Sequence, residues 1–230
     1  MLTFSQWLRQ LDFSWLRQSA LLLAAALPCL VFHEYCHGRA AYLLGDATAK
    51  RAGRLTLNPL AHIDWMGLAA MVFCRFGWAK PVPVSMQRLH HPKRDMAIVA
   101  LAGPLSNVIL AFIALLLQAL CSLIGYATEN EIAASVGTYF YLVALLSAGL
   151  AVFNLFPVPP LDGSKVLFSL LPDAWYLRIL RYERYGSILL IALLFSGVLD
   201  TPLVFLRNGL FDALADAAYF LVGKLYEVFL

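Results

Sequence analysis

Residues 19–44 read SALLLAAALPCLVFHEYCHGRAAYLL, and the change of character along this stretch decides the fold. From Ser19 to Phe32 it is almost wholly apolar, and then His33, Glu34, His37 and Arg39 follow closely. The run is long enough for a transmembrane helix, which needs about 20 residues. Ionisable side chains at membrane depth are costly against lipid, so they must face the protein interior or a wet cavity. Histidines at i and i+4 share a helix face, so their imidazoles can converge on one zinc ion. Glu34 lies beside that face, where it can take a proton from a water attacking a peptide carbonyl. The H-E-x-x-H pattern alone also fits a polar helix face in a transporter or pore. Pro28 removes a backbone hydrogen bond about one turn before His33, which admits water or a bend; an ordinary tolerated kink reads equally well.

Composition agrees with a membrane setting. Of 230 residues, 61% are hydrophobic and 13% charged, against roughly 25% charged in an ordinary soluble domain. Too few charges are present to cover so much apolar surface in water, so the bilayer is the solvent for most of the chain. The length suits one compact helical bundle without an appended soluble domain of usual size. A net charge of +3 does not point to nucleic acid. Cys29, Cys36, Cys74 and Cys121 form no C-x-x-C pair, and they read as small packing residues rather than a disulfide framework. The first apolar run is not a cleaved signal peptide, because its removal would take the histidines with it.

Outward from this stretch, residues 1–18 put Phe4, Trp7, Leu8, Leu11 and Trp15 at helical spacing with Arg9 and Asp12 on the other side, as in an amphipathic helix lying in the membrane interface. Further spans are expected at about 95–124, 132–156 and 186–199. The tail 203–229 reads as either a fifth span or a surface helix. Residues 45–93 differ in kind, with seven Lys and Arg side chains from Lys50 to Lys93, short β-like runs at 54–57 and 82–85, and a greasy patch at 66–79. They read as a re-entrant or interfacial segment with a small hairpin. The segments 45–93 and 157–185 are rich in Lys and Arg, whereas the turn 125–131 has neither, so the basic segments should face the cytoplasm. His33 is about 21 Å into its span at 1.5 Å per residue, toward that side. The third span ends on the same side.

A catalytic zinc usually takes three protein ligands and keeps one position open. The best third candidate is Asp162, in Asn154 through Gly163 (NLFPVPPLDG). Three prolines end the helix there and leave Asp162 on irregular backbone, tolerated at membrane depth where it lines a cavity. The competing role for Asp162 is a helix cap for the segment that follows.

Taken together, these motifs resemble the site-2 protease family of intramembrane zinc metalloproteases. The resemblance rests on His33–His37 followed by Gly38, Ala40 and Gly45–Asp46, then Gly53–Asp64 (GRLTLNPLAHID), Trp78–Pro83 (WAKPVP), Ala102–Asn107 (AGPLSN) and Asn154–Gly163. It covers about residues 30 to 170 in the family's order. It implies cleavage of a membrane-spanning substrate, with His33, His37 and Asp162 as ligands of one zinc per chain and Glu34 as general base. It further implies that Asn154 holds substrate or the developing oxyanion. The chain resembles the minimal members, without a PDZ domain or a CBS pair.

The expectation is therefore an all-α polytopic membrane protein: four to five transmembrane helices with a small re-entrant β-hairpin, forming one metalloprotease domain over 19–230. It would sit in the cell membrane as a multi-pass protein, with its site toward the cytoplasm, a transmembrane protein as substrate and no nucleic-acid partner. A catalytically silent helix-binding protein and a membrane transporter are the alternatives; the complete set His33, Glu34, His37 and Asp162 disfavours the first, and the lack of inverted repeats disfavours the second. The 54–57 and 82–85 runs are candidates for a substrate-binding strand edge. Asn107 is expected near the metal or as interhelical glue, Gly103 and Pro104 as sites of close helix contact, His62 as structural, and His90 and His91 as solvated.

Overall fold

A computed structural model of the chain describes residues 14–67, 80–182 and 185–229. Helix α1 spans Ser14–Leu43 and runs unbroken through Pro28. After a short helix α2 (Thr48–Arg51) and two 3-10 turns, α3 spans Pro92–Thr128 and α4 spans Glu131–Leu155. Pro92 opens α3 in the first turn, where a missing N–H costs nothing. Asn130 caps α4, its side chain accepting from the N–H groups of Ile132 and Ala133. Next come α5 (Asp162–Ser169), α6 (Asp173–Tyr182), α7 (Gly186–Phe195) and α8 (Asp200–Phe229).

Three helical segments are long and apolar enough to cross a membrane: Gln18–Leu43, Pro92–Thr128 and Glu131–Leu155. The apolar pair α7 and α8 is bent by 89° at its break and makes a fourth if the two count as one span. The expected separate span at 186–199 is a helix of only 10 residues, too short to cross alone, so three or four spans replace the four to five expected. The chain is thus a multi-pass membrane protein, and its regular structure among the described residues is all helical. At about 1.5 Å per residue α3 is about 55 Å long, well beyond a hydrocarbon core of about 30 Å, so part of it extends past the core.

The bundle is held by small side chains. Ala25 and Cys29 of α1, Ala114 and Leu115 of α3, Val143 and Ala144 of α4, and Ala218 of α8 form one buried cluster. Lipid gives helices no hydrophobic reason to associate, so close approach over Ala and Cys supplies the packing instead. A second cluster, Ala41, Leu89 and Val99 with Val84 and Met96 against it, ties the polar segment to the ends of α1 and α3. A third, Leu161, Leu190 and Leu199, seats α7 on the proline-rich turn after α4. The end of α1, the start of α3 and the end of α4 therefore meet at one end of the bundle.

The β-hairpin expected within 45–93 is not formed: no strand occurs among the described residues. The chemistry of the two runs explains why. Pro81 and Pro83 have no N–H to give a ladder. Val82 N–H goes to the Glu34 carboxylate at 2.7 Å and Ser85 N–H to the Asp46 carboxylate at 2.6 Å. In the other run, the Thr56 carbonyl accepts from His62 Nε2 at 2.8 Å rather than from a partner strand. The segments that carry the runs are joined instead at Lys80, whose carbonyl accepts from Arg54 Nη2 at 2.6 Å and whose N–H donates to the His62 carbonyl at 2.9 Å. The result is an extended strap over 80–85, not a sheet. The greasy patch expected to be re-entrant falls largely in 68–79, outside the described residues, as does the expected interfacial helix over 1–18 except for Ser14–Gln18, which begin α1.

Candidate metal centre

Three side chains converge where α1, α3 and the turn before α5 meet. His33 Nε2 and His37 Nε2 are 2.9 Å apart. Asp162 Oδ2 is 3.2 Å from the first and 3.0 Å from the second. All three residues are buried. Among the described residues this is the one group of three or more His, Cys, Asp or Glu side chains with ligand atoms close enough for a shared ion. Tetrahedral ligands at about 2.0–2.1 Å from zinc sit about 3.3 Å from one another, so the donor triangle is near the size that ion requires. Two imidazoles and a carboxylate are a donor set that zinc favours, and three protein donors leave a fourth position open. The residues fit the metal.

Each donor is aimed by its local structure. One helical turn separates His33 from His37, so their rings lie 4.5 Å apart, edge to face. His37 Nδ1 donates to the Val99 carbonyl on α3 at 2.7 Å, which leaves Nε2 for the site. His33 Nδ1 faces the Asn107 amide at 3.2 Å. Between these two residues on α3 lies Gly103, where an added Cβ would stand 2.4 Å from His37 Nε2 and 2.6 Å from His33 Cε1. No other residue type fits there without moving the rings.

Asp162 is the first residue of α5, yet its side chain does not cap the helix; it turns to the histidines. Gly163 makes the turn possible, because a Cβ there would lie 2.0 Å from the Leu155 carbonyl oxygen. Lys165 Nζ stands 3.7 Å from Asp162 Oδ1, so a cation faces one carboxylate oxygen while the other faces the imidazoles.

The triangle opens into a cleft of about 300 Å³. Glu34, Asn154 and Lys165 supply polar walls, and Pro81, Val82, Val84, Met96, Val99 and Ala100 the apolar ones. Glu34 Oε2 accepts from Val82 N–H, which fixes the carboxylate in the cleft. Asn154 Nδ2 donates to the Leu150 carbonyl at 3.0 Å. An amide carries two N–H donors, so one remains for another partner. His62 is buried away from this group, on Thr56; His90 and His91 are exposed. Sequence reasoning did not single out Lys165 or Val99, and it read Val82 as part of a strand edge rather than as a partner of Glu34. Only the spacing of Lys165, three residues after Asp162, carried a signal.

The comparisons bear on this geometry. The profile of peptidase family M50 matches residues 116–197, a region that includes Asn154 and Asp162 but not the paired histidines. YwhC of Bacillus subtilis, named as a candidate zinc metalloprotease, is 36% identical over 172 residues, covering 75% of this chain and 78% of that protein. The chain belongs to peptidase family M50. This is the site-2 protease family of intramembrane zinc metalloproteases that the motifs resemble. Another relative is Rip2 of Mycolicibacterium smegmatis, 28% identical over 203 residues, with 86% of this chain and 76% of that protein covered. A third is MJ0611 of Methanocaldococcus jannaschii, 38% identical over 139 residues, with 60% and 63% covered. Both are likewise named as candidate zinc metalloproteases. No solved structure matches this M50 chain significantly.

Proposed function

We propose that the chain hydrolyses peptide bonds in or near transmembrane segments of other membrane proteins, with His33, His37 and Asp162 as ligands of one zinc ion. The observation that carries this reading is the 2.9–3.2 Å triangle of two imidazole nitrogens and a carboxylate oxygen beside Glu34, in a cleft that pairs polar walls at Asn154 and Lys165 with apolar ones. Zinc bound there supplies a Lewis acid for the scissile carbonyl and eases deprotonation of a water. Glu34 takes the proton of the attacking water and then hands it to the leaving amine. Val82 N–H holds Oε2 of that carboxylate and so fixes its orientation, with Oε1 available for the proton. Asn154 gives its second N–H to the oxygen on which charge develops. Lys165 balances the charge on Asp162 Oδ1 and keeps Oδ2 as the single ligand atom.

Val82, Val84, Met96, Val99 and Ala100 suit the side chains of an apolar transmembrane segment. The setting is the cell membrane with the site toward the cytoplasm, as the Lys and Arg content of the 45–93 and 157–185 segments suggests. A Glu34→Gln variant tests the mechanism. With a model transmembrane substrate in detergent or vesicles, it should keep its zinc and lose cleavage by about 10²–10⁴-fold, the usual worth of a positioned general base. Undiminished cleavage would contradict the role of Glu34.

A further inference from the structure

The helix facing the histidines carries an arrangement that the proposed reaction does not itself require. Val99, Gly103 and Asn107 follow one another at four-residue intervals on α3, so they form one stripe on its surface. His33 and His37 have the same interval on α1. The pairing is antiparallel: Val99 meets His37 and Asn107 meets His33, with Gly103 giving room for both rings. At the His37 end the chemistry is fixed. A backbone carbonyl only accepts, so His37 Nδ1 carries the proton and Nε2 presents a lone pair to the site.

At the His33 end it is not fixed, because an amide can donate or accept. Asn107 is wholly buried, its Nδ2 lies 3.2 Å from His33 Nδ1, and its Oδ1 has no partner. With Nδ2 donating, His33 must accept at Nδ1 and carry its proton on Nε2, pointed at Asp162 and His37. That tautomer cannot ligate through Nε2. Half a turn of the amide exchanges its oxygen and nitrogen and lets Oδ1 accept from Nδ1–H, the state that frees Nε2. We propose that Asn107 is the positioning residue for His33, accepting the Nδ1 proton through Oδ1 so that Nε2 is held ready for the metal. Val99 and Asn107 then do the same work for the two imidazoles, one with a fixed acceptor and one with an acceptor that turns. Such outer partners of metal-binding histidines fix tautomer and ring orientation.

The inference rests on the zinc reading above, and the test separates the two. The full-length chain is purified as wild type, Asn107→Leu and Asn107→Asp. Each is stripped of metal and titrated with zinc against a chromophoric chelator, while thermal unfolding of the stripped proteins reports the fold. A carboxylate accepts and cannot donate, so Asn107→Asp should bind zinc at least as tightly as wild type. Asn107→Leu should bind about 10- to 100-fold more weakly, the usual range for loss of such a partner. Equal affinity in Asn107→Leu overturns the proposal. So does weak binding in an Asn107→Asp protein that unfolds like wild type, since that pattern requires the amide to donate. If Asn107→Leu does not fold, the Asn107→Asp comparison with wild type decides alone. A wild-type chain that binds no zinc removes the metal reading itself, and this proposal with it.

Discussion

At the residue scale, the site depends on a few atoms within about one hydrogen-bond length of one another. His33 and His37 were legible in the sequence because four-residue spacing on a helix has one geometric consequence. Asp162 was legible because three prolines before it end the preceding helix, although it opens α5 rather than lying on the irregular backbone expected of it. What holds these groups was less visible. Gly103 reads in sequence only as a point of close helix contact, yet the atoms nearest its missing Cβ belong to His33 and His37. Gly103→Ala should therefore push the imidazoles apart. Overpacking of this kind costs typically about 1–3 kcal/mol, so the variant should lower the unfolding temperature and reduce bound zinc. Metal analysis and thermal unfolding on the same preparation check this, and a variant with wild-type zinc content and stability would show that the rings are not held against α3.

Among the elements, the strap over 80–85 is the one that sequence misread. Its Val and Pro residues suggest a strand by composition, but strand formation depends on where the N–H groups go. Here they go to Glu34 and Asp46, which lie 48 and 39 positions away, and no local pattern announces so distant an acceptor. Asp46 also accepts from Thr48 N–H at 2.9 Å and from the Thr48 hydroxyl. Burial alone would raise the Asp46 carboxyl, but these donors and the Arg88 charge hold it below the usual carboxylate range. A depressed value in the fold means that the contribution is present above the unfolded carboxylate range, near about 3.9, and is lost as the pH falls through the folded value. The strap should thus be fully anchored at neutral pH and loosen only in acid. Asp46→Ala should free it at pH 7, leaving donors unmet at about 1–3 kcal/mol and making amide hydrogens of 80–89 exchange about 10- to 100-fold faster. Unchanged exchange would show that Asp46 does not hold the strap.

For the whole molecule, composition alone required a bilayer, and the three helices long enough to span it were readable from their apolar runs, whereas 186–199 was read as a span and is not one by itself. The break between 186–199 and the tail from 203 was readable from Gly197, Asp200 and Pro202. The 89° bend that pairs α7 with α8 was not, because local sequence does not set the angle between two helices; Gly197 adopts φ +71° there. Orientation is testable directly. Gln87 lies in the basic segment and Asn130 in the turn between α3 and α4, and both are exposed. In intact bacterial cells, a membrane-impermeant thiol reagent should label Asn130→Cys and spare Gln87→Cys; the reverse pattern would turn the protein over in the membrane. The central claim is a zinc ion shared by two helices of the bundle, and zinc-edge X-ray absorption on the purified chain reads it most directly. The account predicts one zinc per chain in a shell of nitrogen and oxygen at about 2.0–2.1 Å with imidazole scattering, lost or strongly depleted in Asp162→Ala. Sulfur at about 2.3 Å, or the same shell and occupancy in Asp162→Ala, would contradict it.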